Sequence, residues 1–229
     1  MIKAVIFDMY ETLITHYNSP LYFGSEMAKD AGMSVEDFFV LWRDKEIDDN
    51  RTKGQLTLEE VLERIFKTND CYSKELVDKI VKKRMDVKRE CFKHLHPHIV
   101  PMLRKIKEQG IRIGLISNCY SEEVGPIKES ELYPYLDVAC LSYEVGMKKP
   151  DEKIYLRCME ELDVEPEECL YVGDGGSNEL EGANKLGIRA LQATWYMLDE
   201  NSDEYLERVR GKDKFAKLKD PLDVLEYIE

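Results

Sequence analysis

Short apolar runs, each followed by a polar residue, are the sequence feature that most constrains the fold of this chain. Runs at positions 4–7, 111–116, 138–141 and 169–172 have the length and composition of buried strands, and a fifth strand is predicted at 189–192. Helical patterns separate the later runs, and parallel strands need such crossover connections. The sequence therefore predicts the α/β class with a doubly wound parallel sheet.

The chain between the first two predicted strands has a helical pattern throughout. Ser34, Thr57 and Ser73 each precede an amphipathic run, and residues of this type cap helix N-termini. The run after Ser34 is predicted to continue through Ile47 as one helix, and 51–55 is predicted to be a solvated turn. We therefore predict an all-helical insertion at 17–95 and an α/β core formed by 1–16 and 96–229.

Charge and composition exclude two classes of partner. The 229-residue chain has 46 acidic and 33 basic side chains, a formal net charge of −13. Nucleic-acid binding depends on clustered Lys and Arg that neutralise phosphates, so no nucleic-acid partner is expected. No apolar stretch is long enough to span a bilayer or to form a signal peptide, and the six cysteines contain no Cys-x-x-Cys pair. We expect a cytoplasmic protein without a membrane partner.

Polar residues that suit phosphoryl chemistry stand at the ends of the predicted strands. Asp8 follows the first strand, Ser117 the second, Lys149 the third and Asp174 the fourth. The carboxyl ends of parallel strands share one edge of the sheet, where ligands of such folds bind. The sequence therefore predicts one site at this edge, with Asp8 as the candidate nucleophile.

The segments that contain these residues resemble the four motifs of the haloacid dehalogenase-like superfamily. They occur in the order that the family has, and they extend over nearly the whole chain. The helical insertion is similar to the cap domain of that family, and the resemblance implies a Rossmann-like core. The matching segments are Asp8-x-Tyr10-x-Thr12, Leu115-Ile116-Ser117-Asn118, Lys149-Pro150-Asp151, and Val172-Gly173-Asp174 with Asn178-Glu179.

The resemblance implies a covalent mechanism. Asp8 would attack the substrate and form an aspartyl intermediate, while Ser117 and Lys149 hold the oxygens of the transferred group. It also implies a Mg²⁺ ion, because that cation takes oxygen ligands. The implied ligands are Asp8, Asp174 and the backbone carbonyl of Tyr10, with Glu179 holding a metal-bound water. The implied substrate-binding residues are Thr12, Asn118 and Arg43.

Tyr10 departs from the phosphatases of the family, which generally have an aspartate there as the general acid and base. With a tyrosine at this position, the first motif resembles that of the 2-haloacid dehalogenases. In those enzymes the aspartate attacks carbon and expels a halide without a metal. Trp42-Arg43 also resembles their cap segment, and Lys149 with Tyr155 resembles their third motif. A catalytically weak binding protein on the same fold is a third alternative.

Gly173-Asp174 favours the phosphatase alternative. Dehalogenases lack this pair, and two carboxylates close together need a cation because each disfavours the ionisation of the other. The sequence therefore predicts a Mg²⁺-dependent phosphohydrolase that acts on a small phosphorylated metabolite through an aspartyl-phosphate on Asp8. The identity of the substrate and the oligomeric state are left open.

Overall fold

Six parallel strands form one sheet in the computed structural model, which describes residues 1–197 and 211–228. Their spatial order is β3-β2-β1-β4-β5-β6, and every neighbouring pair is parallel. The predicted fold class, a doubly wound parallel α/β sheet, is confirmed. The strands are β1 Ala4–Phe7, β2 Arg112–Ser117, β3 Val138–Leu141, β4 Cys169–Gly173, β5 Arg189–Ala193 and β6 Ala216–Leu218.

β6 is the strand that the sequence did not predict. It has three residues, of which only Leu218 is buried, so it is too short for a recognisable apolar run. It pairs with β5 through Leu191, Gln192 and Ala193. Strand pairing across the sheet, rather than local sequence, therefore determines this element.

Helices cover both faces of the sheet and form the segment between β1 and the second strand. Within the described ranges, no helix combines the length and apolarity needed to cross a membrane. The α-helices are α1 Gly24–Asp30, α2 Val35–Trp42, α3 Lys45–Thr52, α4 Leu58–Thr68, α5 Lys74–Cys91, α6 Ile99–Glu108, α7 Ser121–Glu129, α8 Ser142–Val145, α9 Glu152–Leu162 and α10 Glu179–Lys185.

The predicted helix starts of the insertion are present. The hydroxyls of Ser34, Thr57 and Ser73 each accept a hydrogen bond from a backbone N–H of the first turn. The run predicted from Ser34 through Ile47 is two helices, however, because the Asp44 carboxylate accepts from the N–H groups of the next turn and starts α3. The helical pattern is therefore interrupted at Arg43 and Asp44, between α2 and α3.

The helices α1–α5, which we call the helical insertion, have an apolar core of their own. It contains Phe38, Leu62 and Phe66, and it is separate from the two clusters that cover the faces of the sheet. The insertion packs on the α/β part mainly through α5 against α7. A division into a cap at 17–95 and a core elsewhere stays a prediction.

The register of the strands places the strand ends that form the site side by side. Phe7 at the end of β1 pairs with Leu115 of β2 and with Val172 of β4. The residues that follow these positions therefore meet at the carboxyl edge of the sheet. After β5 the chain returns to the same edge, where the Trp195 indole N–H donates to the Thr12 carbonyl at 2.8 Å.

Candidate active site

Three carboxylates and one ammonium group are buried together at the carboxyl edge of the sheet. Asp8, Asp174 and Glu179 each offer a carboxylate oxygen within 4.8 Å of the others. The Lys149 ammonium donates hydrogen bonds to the carboxylates of Asp8 and Glu179. All four side chains are buried, so water screens these charges little.

Asn118 fixes the position of Lys149. Its side-chain oxygen accepts from the Lys149 backbone N–H at 2.8 Å, and its side-chain nitrogen donates to the Lys149 carbonyl at 3.1 Å. The Lys149 ammonium also contacts the Tyr171 hydroxyl at 3.3 Å. The Asn118 amide is therefore engaged with the backbone of the lysine, where it acts as a positioning group.

Burial and the neighbouring charges shift the pKa values of the two central groups. Burial raises the pKa of Asp8 to about 7; the Glu179 carboxylate adds to this rise and the Lys149 ammonium opposes it. Burial disfavours the charged form of Lys149, but Asp8 and Glu179 together raise its pKa above the usual range. The lysine is therefore charged, and one ammonium group faces three carboxylates.

This composition fits a divalent cation. Carboxylate oxygens are the ligands that Mg²⁺ prefers, and the two carboxylates not balanced by Lys149 would be neutralised by one such ion. Asp174 is held by the Gly176 N–H, which donates to its Oδ1 at 2.8 Å, and by Gln192, which donates to its carbonyl at 2.9 Å. The residues present therefore fit Mg²⁺ at this cluster.

Both carboxylate oxygens of Glu179 accept hydrogen bonds. Oε2 accepts from Lys149 and from the Tyr171 hydroxyl at 3.0 Å, and Oε1 accepts from the Gly175 N–H at 3.2 Å. A Cβ atom on Gly173 would lie only 2.1 Å from Glu179 Oε1, so a larger residue there would displace the Glu179 carboxylate from this position. The Gly-Asp pair of the fourth motif therefore makes room for Glu179 directly before Asp174.

Ser117 and Thr12 complete the surroundings of Asp8. The Thr12 hydroxyl lies 3.5 Å from Asp8 Oδ2 and can donate to it. The Ser117 hydroxyl is completely buried at the end of β2 and has no hydrogen-bond partner among the described residues. A buried hydroxyl without a partner costs about 1–3 kcal/mol, so a ligand oxygen that bonds to it would relieve this cost.

The Tyr10 side chain packs against the helical insertion. Its ring stacks on His16 with 4.5 Å between centroids, and the Lys88 ammonium of α5 lies 4.9 Å from the ring centroid. The Tyr10 hydroxyl is buried and has no hydrogen-bond partner in the part of the chain described here. The two ring contacts favour a packing role for the tyrosine over proton transfer.

We therefore expect the Tyr10→Phe protein to keep kcat within about twofold of the original, because no bond to the hydroxyl is lost. A tyrosine that donated a proton would contribute about 10²- to 10⁴-fold, and a loss of that size would contradict the packing role. Steady-state hydrolysis of an alkyl phosphate measures this. The matched control is Tyr171→Phe, which removes a hydroxyl bonded to Lys149 and Glu179 and should lower kcat.

A cavity of about 790 Å³ lies between the helical insertion and the loops of the sheet edge. Arg43 is exposed at this cavity, with its guanidinium 4.0 Å from the Phe39 ring centroid. The structure thus brings Asp8, Lys149, Asp174 and Glu179 together, with Thr12, Ser117 and Asn118 around them. Arg43 lies instead at the wall of the cavity.

Sequence reasoning missed two contributors to the cluster. Tyr171 is in the middle of β4 and Gln192 is in β5, both within runs that the sequence predicts as ordinary strands. Their only signal in the sequence is a polar side chain within a short, mostly apolar run. The structure shows that both side chains are completely buried. The hydrogen-bonding capacity of such residues must be satisfied inside the protein, which makes them candidates for a site.

Comparison with known proteins identifies the family. A family model described as haloacid dehalogenase-like hydrolase matches residues 2–187, which include all four motif segments and the helical insertion. The chain belongs to the haloacid dehalogenase-like hydrolases. The family that the motifs indicate is therefore confirmed.

Curated relatives within this family include both phosphatases and dehalogenases. Rhythmically expressed gene 2 protein of Drosophila melanogaster is 33% identical over 119 residues, 50% of this chain and 44% of that protein. A glyceraldehyde 3-phosphate phosphatase of Methanopyrus kandleri is 25% identical over 48% of each chain. This chain thus spans about half the length of these two relatives. (S)-2-haloacid dehalogenase 4A of Burkholderia cepacia is 26% identical over 83% of this chain and 82% of the enzyme.

Solved structures of the haloacid dehalogenase-like family share the fold. A phosphatase of the family from Thermococcus onnurineus has a TM-score of 0.67 at 21% identity, over 99% of this chain and 98% of that one. A family enzyme from Bacteroides thetaiotaomicron, solved as a magnesium complex, has a TM-score of 0.63 at 21% identity, over 83% of this chain and 92% of that one. At these identities the similarity establishes the α/β fold alone.

Proposed function

We propose that this hydrolase is a Mg²⁺-dependent phosphatase that acts on a small phosphorylated metabolite through an aspartyl-phosphate on Asp8. One observation carries the proposal: Asp8, Asp174 and Glu179 are buried around a single ammonium group. Attack on carbon needs the nucleophile and the lysine, but it gives no role to the second and third carboxylates. The magnesium complex of the Bacteroides thetaiotaomicron relative supports the same choice of cation.

The side chains of the cluster have distinct roles in this mechanism. An Asp8 oxygen attacks phosphorus, and the bond from phosphorus to the leaving oxygen breaks with its electron pair passing to that oxygen, which takes up a proton from solvent. Ser117 and Lys149 bind the equatorial oxygens of the transferred group, where negative charge is concentrated. Water then attacks the aspartyl-phosphate, which releases inorganic phosphate and restores Asp8.

The remaining residues position these groups. We propose that Thr12 orients the Asp8 carboxylate, while Asn118 and Glu179 hold Lys149 in place. Asp8, Asp174 and the backbone carbonyl of Tyr10 would hold Mg²⁺, with Glu179 at its edge. When bound, the ion supplies positive charge that offsets the repulsion between a carboxylate and a phosphate dianion.

We also propose that residues 17–95 act as a cap over this site. The separate apolar core of the helical insertion and the cavity between it and the sheet edge support this role. Arg43 is then a substrate-binding residue at the cavity wall. Substrate choice would depend on the insertion, since the cluster itself handles only the phosphoryl group.

A metal-independent 2-haloacid dehalogenase is the second candidate. Tyr10 and the match to the Burkholderia cepacia enzyme favour it. In that reaction Asp8 would attack the carbon that bears the halogen, the carbon–halogen bond would break with its electron pair on the halide, and water would hydrolyse the resulting ester. Asp174 would have no part in those steps.

A panel of two reactions with and without metal separates these candidates. We expect hydrolysis of 4-nitrophenyl phosphate in Mg²⁺ and a loss of at least about 10²-fold in excess EDTA, because the charge on the phosphate is then not offset. We expect no halide release from 2-chloropropionate under either condition. Equal phosphatase rates in EDTA would contradict the Mg²⁺ mechanism, and metal-independent halide release would establish the dehalogenase.

A further inference from the structure

A second group of buried charges lies between the helical insertion and the sheet, outside the cluster around Asp8. On the insertion side are Arg51 of α3 and two side chains of α5, Arg84 and Lys88. On the other side are the first-turn carboxylates of α7, Glu122 and Glu123. The exposed fraction of each of these five side chains is 6% or less.

The buried cations outnumber the buried carboxylates in this second group. Lys88 pairs with Glu123, whereas Glu122 is shared: its Oε1 lies 3.2 Å from Arg51 Nη2 and 3.6 Å from Arg84 Nε. The Nε atoms of both arginines have no hydrogen-bond partner among residues 1–197 and 211–228. A buried charge without a counter-ion is costly, so this arrangement calls for one more anion.

The cavity beside these residues is lined by more positive than negative side chains, whereas the protein as a whole is negatively charged. The chain as a whole has a net charge of −13. Burial and the Lys88 ammonium lower the pKa of His16, at the cavity wall, to about 3, so its ring is neutral near pH 7. Among the described residues, three carboxylates line the cavity, against six cations: Arg43, Lys45, Arg51, Arg84, Lys88 and Lys148.

The cavity is bordered by the loops that hold the nucleophile site. Tyr120 is two residues after Asn118, Lys148 directly precedes Lys149, and His16 stacks on Tyr10. A volume of about 790 Å³ is in the range of small-molecule sites. The cavity is therefore next to the site around Asp8.

Arginine side chains already occupy aromatic faces in the cavity. The Arg51 guanidinium lies 4.1 Å from the ring centroids of both Trp42 and Tyr120. A planar ligand such as a nucleobase would have to displace the arginine to be sandwiched between these rings. The cavity therefore favours a small anionic ligand over an aromatic one.

We infer that the substrate has a second anionic group, a carboxylate or a second phosphoryl group, which binds to Arg84 and Arg51 between α5 and α7. This inference rests on the proposed phosphatase function and specifies its substrate class. The second anion would balance the surplus buried cation. Recognition of this kind selects against phosphate esters of neutral alcohols.

Matched substrate pairs test the inference. In the first pair, 3-phosphoglycerate has a carboxylate where glycerol 3-phosphate has a hydroxymethyl group; in the second, propane-1,3-diyl bisphosphate has a phosphoryl group where 3-hydroxypropyl phosphate has a hydroxyl. We expect kcat/KM to be about tenfold or more higher for the doubly anionic member of at least one pair, as one charge-assisted bond allows. The pair that shows the preference identifies the second group. Equal kcat/KM values within both pairs would overturn the inference.

Arg84→Gln should abolish this preference, so that the ratio of the two kcat/KM values approaches one. The variant leaves two buried cations with two buried carboxylates, so its buried charges are balanced. Lys82→Gln makes the same charge change at an exposed position of α5 and should keep the ratio. Should Arg84→Gln fail to fold, Arg51→Gln provides the same test. An unchanged ratio in the folded variant would overturn the inference.

Binding measurements can distinguish an error in this inference from an error in the proposed function. Calorimetric titration of the Asp8→Asn protein with 3-phosphoglycerate and with glycerol 3-phosphate measures the preference without turnover. Tighter binding of 3-phosphoglycerate, lost in Asp8→Asn/Arg84→Gln, would support the second-anion site even if no phosphatase activity is found. Equal affinities in both titrations, together with equal affinities for the propane-based pair, would exclude it while Mg²⁺-dependent phosphatase activity could remain.

Discussion

The Asp8→Asn protein is expected to lose more than about 10³-fold of its Mg²⁺-dependent phosphatase activity, because an amide cannot form the covalent intermediate. Its fold should persist, since Lys149 keeps its bonds to Glu179 and Tyr171. Initial rates with 4-nitrophenyl phosphate measure the loss, and circular dichroism verifies the fold. Asp163→Asn makes the same chemical change at an exposed helix end, where asparagine is well tolerated, and should retain activity.

The covalent step has a direct test in the unmodified protein. Acid quenching during turnover, followed by peptide mass spectrometry, should find one phosphoryl group on the peptide that contains Asp8. Full activity of Asp8→Asn, or a phosphoryl group found only on another residue, would contradict the assignment of the nucleophile.

Replacement of Lys149 by Met should make the stability of the protein depend on Mg²⁺. The substitution leaves three buried carboxylates without an ammonium group, and breaking a buried pair in this way costs about 3–5 kcal/mol. We expect a loss of this order in the free energy of unfolding in EDTA, with much of it recovered in millimolar Mg²⁺. Urea unfolding with and without the metal measures both values.

Lys148→Met is the matched control for this experiment. Lys148 is the adjacent lysine, but its side chain is 30% exposed and pairs with Asp49 at the protein surface. Exposed pairs contribute about 0–1 kcal/mol, so its loss should be small and independent of metal. A Lys149→Met protein with the same stability in EDTA and in Mg²⁺ would show that the ion does not bind at these carboxylates.

The sequence predicted the parts of the structure that depend on short segments of neighbouring residues. Each strand that positions a motif is a short apolar run, and parallel pairing then brings the following residues to one edge. Asp8, Lys149 and Asp174 therefore meet although 166 residues of sequence separate the first from the last. The capping hydroxyls of the helical insertion were predictable for the same reason, because a cap acts within one helical turn.

Contacts between distant segments could not be predicted. Arg51 was expected in a solvated turn, but it is in α3 and is 2% exposed, because Glu122 and two aromatic rings surround it. Arg84 and Lys88 are polar residues of a helix that is amphipathic in sequence, where solvent exposure is the default. Their burial is a property of the α5–α7 contact, which no local pattern encodes.

Trp195 has a consequence for the minimal length of a working enzyme. The family match ends at residue 187, yet the indole that bonds to Thr12 and the last two strands follow that point. A protein trimmed to the matched segment would leave β4, whose five residues are all buried, as the unpaired outer strand of the sheet. Such an apolar edge promotes self-association. Shortened versions of this protein should therefore retain β5, β6 and the tryptophan.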